Sequence, residues 1–269
     1  MKQSIIVFIA LSVCAIGASS CKSMVKQMAA EHSFEYKDSQ EYGAVQTRDV
    51  DVEPFSKINA RGNVKVVYRQ GNTQQVCVTG NEKCIDMYDI TVKNNRLDIH
   101  FKEEEKDAHI RTNNIHPITL DITLPELTAM NAQGAASLNM RGTIRQSQPL
   151  VMEASGAADF DADSLYLPGL TIKVSGAGDV DMDYVHCSED VAITVSGAGD
   201  VDGYVRCRNL GLDVSGAGDV DVRTDCSGHL SVSGSGAGDI TVSGTCRTLS
   251  KQSGGVTELN LRHLKVKEK

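Results

Sequence analysis

"SGAGDV" stands at residues 175–180, again at 196–201 and again at 215–220. A near copy, "SGAGDI", occupies 235–240, a looser one, "SGAADF", 155–160, and a degenerate one, "QGAASL", 133–138. From Ser155 onward the spacings are 20, 21, 19 and 20 residues. A repeat of about twenty residues in a Gly- and Val-rich chain predicts a solenoid, in which each unit buries its apolar side against the next.

Around each copy the apolar residues alternate. Leu170, Ile172 and Val174 precede one turn, and Val180 and Met182 follow it; Leu210, Leu212, Val214, Val220 and Val222 repeat the pattern. Period two means strands. At about 3.3 Å per residue, two short strands and two turns use up the whole repeat. The expected fold is all-β: a right-handed parallel β-helix or β-solenoid, with ~20-residue coils of two strands each. Gly176, Gly178, Gly197, Gly199, Gly216, Gly218, Gly236 and Gly238 then act as structural turn residues, allowed backbone angles closed to other residues. The Asp that follows them is placed to accept hydrogen bonds from turn amides.

A second ladder marks the opposite turn: Cys187, Cys207, Cys226 and Cys246. The alternation Val220-Val222-Thr224-Cys226 points them inward. Two readings stand, buried thiols filling equivalent positions or disulfides between stacked neighbours. The close Cys/His spacings of a zinc site are missing. Cys77 and Cys84 flank a loop and form a separate candidate disulfide.

The chain has 269 residues, 24 Gly, no Trp and a formal net charge of −8. Residues 1–20, with Lys2 and the short apolar run "IIVFIALSVCAI" (5–16), have the form of a secretory signal peptide. "ASSC" (18–21) resembles a lipobox, which makes Cys21 the candidate lipidation site; plain signal-peptidase cleavage before Cys21 is the rival. Residues 21–47 read as a polar tether. Residues 48–130 are strand-rich without the tidy period, with "KEEEKD" (102–107) as a charged loop. Residues 131–259 form the repeat solenoid, and 260–269 a basic cap or tail that blunts its end.

Residues 150–240 hold fourteen Asp and two Glu against four Lys or Arg. Asp179, Asp181, Asp200, Asp202, Asp219 and Asp221 form outward acidic columns. Three uses compete: a turn cap plus a solvated face, weak Ca²⁺ binding, or paired-carboxylate catalysis. The calcium β-roll register is wrong, because Val180 falls where it needs Asp, so no metal is assigned. An active site is a unique departure from a repeat, and these Asp recur in every coil. Outside the repeat, His186, His229, Arg206, Arg208 and Arg223 stand apart from one another. No catalytic residue and no cofactor is assigned, and the expectation is that the chain is not an enzyme. The acidic face and the scarcity of aromatics argue against nucleic acid.

The tether, then "FSKINARGNVKVVYRQGNTQQVCVTG" (55–80), then "ITLDITLPELTAMNAQGAASL" (118–138), then serial "SGAGDV" turns, resembles the auto-transporter adhesin, head GIN domain family of Bacteroidetes, over roughly residues 48–255. The resemblance implies a pectin-lyase-like shape without that fold's catalytic residues, and a role in adhesion. It carries over no binding position. The expected protein is therefore an exported, outer-membrane lipoprotein, held to the membrane by its lipid and non-catalytic. It binds a glycan or protein partner, or serves as a periplasmic scaffold; a carbohydrate-active enzyme is the distant alternative. The face of the membrane on which it sits stays open, as does self-association through exposed strand edges.

Overall fold

The computed structural model describes residues 42–102 and 117–267. The signal segment, Cys21, most of the tether and the charged stretch after Lys102 lie outside the described residues. In chain order come β1 (Val45–Asp49), β2 (Lys57–Arg61), β3 (Val64–Gln70) and β4 (Gln75–Asn81), then a short helix α1 (Glu82–Asp86). Next are β5 (Tyr88–Lys93), β6 (Arg96–Phe101) and β7 (Ile118–Leu124). The repeat then runs through β8 (Ala129–Gly134), β9 (Ser137–Arg145), β10 (Leu150–Gly156), β11 (Asp159–Leu167), β12 (Leu170–Val174) and β13 (Val180–Cys187). It continues with β14 (Asp190–Val195), β15 (Val201–Cys207), β16 (Asn209–Val214), β17 (Val220–Cys226), β18 (His229–Gly234), β19 (Asp239–Cys246) and β20 (Thr248–Ser253). Two short strands, β21 (Glu258–Asn260) and β22 (Leu264–Val266), finish the chain.

Successive strands of the repeat fall alternately into two sheets. The first carries β3-β9-β11-β13-β15-β17-β19 and the second β2-β8-β10-β12-β14-β16-β18-β20, all parallel; the register is regular except for shifts between Ala162 and Ser164 of β11 against β9 and between Met182 and Val185 of β13 against β15. The result is a β-solenoid of about seven turns. Equivalent residues of the repeat become equivalent residues of the stack: Leu138, Phe160, Val180, Val201, Val220 and Ile240 form one inward column. Every member is buried. A single apolar cluster fills the space between the sheets from Phe55 to Cys246.

The stretch that lacks the repeat belongs to the same solenoid. β2 and β3 are its first turn, pairing with β8 and β9 across an insertion of nearly sixty residues. The insertion supplies one more level outside them, β6 on β2 and β7 on β3, again parallel. Antiparallel β5 and β4 close that level, and β1 pairs antiparallel with β4. Reversed strands disrupt the period in sequence because they break the coil path, and they leave a capped end. At the other end the basic tail splits into β21 and β22, which pair side by side along β19.

The turn glycines are required for a different reason from the one the sequence suggests. None of the eight at 176–238 has a positive φ. Instead, a Cβ placed on Gly197 would sit 1.8 Å from the carbonyl oxygen of Gly176, and one on Gly216 would sit 1.7 Å from that of Gly197. The turns stack backbone on backbone, and hydrogen bonds such as Ala198 N–H to Gly176 O and Ala217 N–H to Gly197 O, both 2.8 Å, hold them together. The degenerate upstream copies do use the left-handed region, with Gly134 at φ 85° and Gly156 at φ 95°.

Candidate functional site

The cysteines do not form the sites considered for them. Cys84 is a buried thiol within the core cluster, so the Cys77–Cys84 bridge is not made. Strand alternation explains this: Val76 and Val78 face the core, which turns Cys77 to the opposite side of β4, beside Asp49 of β1. Cys187, Cys207, Cys226 and Cys246 are buried thiols as well, none of them in a disulfide. Burial pushes the Cys187 thiol up to about 12, while a hydrogen bond with Cys226, together with burial, raises Cys207. Cys187 and Cys207 are therefore small core residues and poor nucleophiles, whereas the same hydrogen bond from Cys207 holds its partner Cys226 down to about 7.

The outer face of the first sheet carries the polar chemistry. At the turn edge each leading Asp bonds to the next coil, its carboxylate accepting from the following Asp amide: Asp179 from Asp200 at 3.3 Å, Asp200 from Asp219 and Asp219 from Asp239, both at 2.8 Å. This column is structural. The next column outward, Asp161-Asp181-Asp202-Asp221, has no such use. At its foot Arg141 clamps both oxygens of Asp161, at 2.9 and 2.7 Å, and reaches Asp163 at 2.9 Å. Higher up, Asp181 and Asp202 are raised above the usual carboxylate range, by partial burial first and then by repulsion from neighbouring Asp side chains.

Beside these carboxylates runs a feature that sequence reading missed. Tyr166, Tyr184 and Tyr204 form a ring ladder, with centroids 5.7 and 5.4 Å apart. The Arg145 guanidinium lies 3.6 Å over the Tyr166 ring and that of Arg223 5.4 Å over Tyr204; His186 sits 5.7 Å from Tyr166. The spacing of 18 and 20 residues was the available signal, hidden because Tyr makes up so little of the chain. The scattered basic residues are engaged too. Arg206 approaches Asp225 at 3.7 Å, Arg208 meets Asp190 at 3.1 Å, and His229 bonds Thr248 at 2.9 Å. They do not converge on one another. No group of three or more His, Cys, Asp or Glu is arranged to hold a metal ion among the described residues. On the second sheet an open groove of about 360 Å³, lined by residues that include Asn131, Gln133, Glu153, Lys173 and Val174, is crossed by the Lys173–Glu153 ion pair at 2.9 Å.

The model of the family described as "Putative auto-transporter adhesin, head GIN domain" matches residues 54–204 and again 189–269. The chain belongs to this family. GIN-domain similarity extends to solved structures at the level of fold. A "putative adhesin" from Bacteroides fragilis superposes with a TM-score of 0.69 at 21% identity, covering 81% of this chain and 96% of its own. A "Putative lipid binding protein" from Parabacteroides distasonis gives 0.58 at 19%, and a "putative adhesin" from Parabacteroides merdae 0.55 at 16%, each with 81% and 96% coverage. No curated protein matches the chain. Among the described residues of this GIN-domain chain, no helix is long and apolar enough to cross a membrane.

One carboxylate of the capped end makes stability depend on pH. Asp121 is 3% exposed, and burial raises it to about 6 against the pull of Arg69 at 3.5 Å and of Lys65. A carboxylate raised on folding binds its proton more tightly in the folded state, so stability is gained as pH falls through the folded value. From pH 7 to pH 5 this group should add about 1 kcal/mol. Asp181 and Asp202 act in the same direction. Asp98 runs the opposite way: burial pushes it up, but bonds from Asn59 and Arg96 outweigh that and hold it low, so its contribution is lost only in stronger acid. Urea unfolding at the two pH values should show the gain in the wild type and lose most of it in Asp121→Asn. An unchanged pH difference in the variant would remove Asp121 from the account.

Proposed function

We propose that this chain is a non-catalytic, exported rod anchored to the outer membrane through a lipid on Cys21, and that the outer face of its first sheet serves adhesion or partner binding. The observation that carries this is repetition. The same outward side chains, carboxylates in one column and tyrosines beside it, return coil after coil on one regular sheet. Catalysis needs one unique constellation, whereas a surface that binds along its length gains from many equal, weak points. The adhesin description of the family and of its structural neighbours points the same way, and supports the reading at the level of family only.

Accessibility on intact cells tests it. A non-permeant protease, or an antibody against the folded domain, should cleave or label the protein on whole cells as readily as after lysis. Protection until lysis would overturn the adhesion reading and leave a periplasmic scaffold, whose partner crosslinking would then identify. Loss of membrane association in Cys21→Ser tests the anchor separately: a variant that stays with the membrane fraction would remove the lipid from the proposal.

A further inference from the structure

The ring ladder and the acidic column share one face, and their two ends are treated differently from their middle. At the foot, the chain's own arginines occupy both: Arg141 clamps Asp161 and Asp163, and Arg145 stacks on Tyr166. At the far end Arg223 approaches the Tyr204 ring. Between them Asp181, Asp183 and Asp202 are exposed and make no ion pair among the described residues, and Tyr184 is half-buried between two rings with no guanidinium over it. The molecule thus shows, at its own foot, what group the strip accepts: planar cations, one bonding carboxylates with its edge (Arg141) and a second covering a ring with its face (Arg145).

We propose that Asp181, Asp183, Tyr184 and Asp202 form a docking strip for an extended, arginine-bearing polypeptide segment of a partner. The proposal rests on the binding-rod reading above and names its partner chemistry. Guanidinium fits better than ammonium, because Arg can fork onto a carboxylate and stack on tyrosine at once, whereas Lys is a strongly hydrated point charge. It fits better than a divalent cation because no three acidic groups converge here as a metal site. Cations along the strip would also relieve the mutual repulsion that adds to burial in raising Asp181 and Asp202.

The test uses three fluorescently labelled peptides of one length, with arginine, lysine or citrulline at alternate positions, titrated against the folded protein by anisotropy at low and high salt. Citrulline keeps the shape of arginine and removes its charge. The arginine peptide should bind at least about tenfold more tightly than citrulline and about threefold more tightly than lysine, with the advantage shrinking in high salt. Asp181→Asn/Asp183→Asn/Asp202→Asn should abolish the gain over citrulline, and Tyr184→Ala should abolish the gain over lysine. An equal number of neutralised carboxylates on the second sheet and its turn, Glu153→Gln/Glu189→Gln/Asp213→Asn, should change neither.

Equal effects of the two triple variants would overturn the strip and leave only the attraction of an acidic protein for cations. Equal affinity for arginine and lysine would overturn the role of the ring. Displacement of the peptide by millimolar Ca²⁺ but not Mg²⁺ would overturn the peptide in favour of an ion. So would glycan binding that is lost in the strip variants while the peptides do not bind, which would favour a sugar. The strip carboxylates lie outside the core, and their neutralisation removes repulsion, so the variant should fold; the single Asp202→Asn repeats the test if it does not. A cell-surface protein that ignores all three peptides sinks this inference alone, and a buried one that binds them sinks only the adhesion reading.

Discussion

Gly216→Ala should abolish the fold, or cost more than about 4 kcal/mol, although it adds a single methyl group and asks for no unusual backbone angle. The added Cβ would meet the carbonyl oxygen of Gly197 at 1.7 Å, its carbon at 2.7 Å and its nitrogen at 2.9 Å, so all three obstacles are backbone. No rotamer change can relieve that. The turn must lift off its neighbour, and the hydrogen bonds from Ala217 N–H to Gly197 O and from Ala237 N–H to Gly216 O lie in the region that moves. Because each coil touches only the next, the break falls in the middle of the stack and separates its two halves. Gly211→Ala is the matched control. Gly211 lies in β16, nothing stands within 4 Å of the methyl that alanine would add there, and its φ is not positive, so alanine should be neutral or stabilise by about 0.5 kcal/mol through the unfolded state. Thermal and urea unfolding of both purified variants checks this. A cooperative, near wild-type transition for Gly216→Ala would mean that the turns do not stack this closely.

That pair of glycines also shows how much of the fold was legible. Identical turns at a fixed period pointed directly to stacked coils, and alternation assigned the inward columns correctly. The purpose of the glycines was not legible, because a contact between residues twenty apart depends on how near the coils approach, and period carries no information on that distance. The same limit hid the first turns. β2 and β3 carry the alternation but are severed from β8 and β9 by an insertion, so in sequence they look like a separate strand-rich part. Cys77 and Cys84 were paired by proximity in sequence, while alternation along β4 had already turned one of them away from the core.

The candidate face was half legible. Its carboxylates announced themselves because each follows a conspicuous turn, but the two Asp of "GDVD" differ in kind. One is consumed by the amide of the next coil, and the other stands in a column that the fold does not neutralise above Asp161. Only cross-coil geometry separates them. The tyrosines escaped because regular register pairs Tyr166 with His186 and Tyr184 with Ser164, so that Tyr184 meets Tyr166 only diagonally, and because the β13–β15 register shifts between Met182 and Val185 before Tyr204 is reached, so the three tyrosines are not equally spaced. Acid and ring therefore come together through small irregularities in an otherwise regular stack.

Phe160→Ala should destabilise the protein by about 3–5 kcal/mol while leaving the periodic turns intact. Phe160 is 1% exposed and belongs to a column that includes Leu138 below and Val180, Val201, Val220 and Ile240 above. It is the one aromatic side chain in that run, so its coil holds the largest volume between the sheets at this column. Its neighbour Val180 is β-branched and fixed in position, Leu138 on the other side is fully buried, and neither can swing in to fill the space that a benzyl group leaves. Phe160→Leu, which keeps most of the volume, should cost clearly less, about 1 kcal/mol. The position lies between Asp159 and Asp161, the first carboxylates of the two acidic columns, and its main chain pairs directly with that of Val180. Urea titration of the alanine variant should show a lower midpoint. If the solenoid parts at this coil before it melts elsewhere, the transition should also broaden, with a lower apparent slope. A midpoint within about 1 kcal/mol of wild type would show that the coils close around the cavity, and that neighbours in this column pack more loosely than their burial indicates.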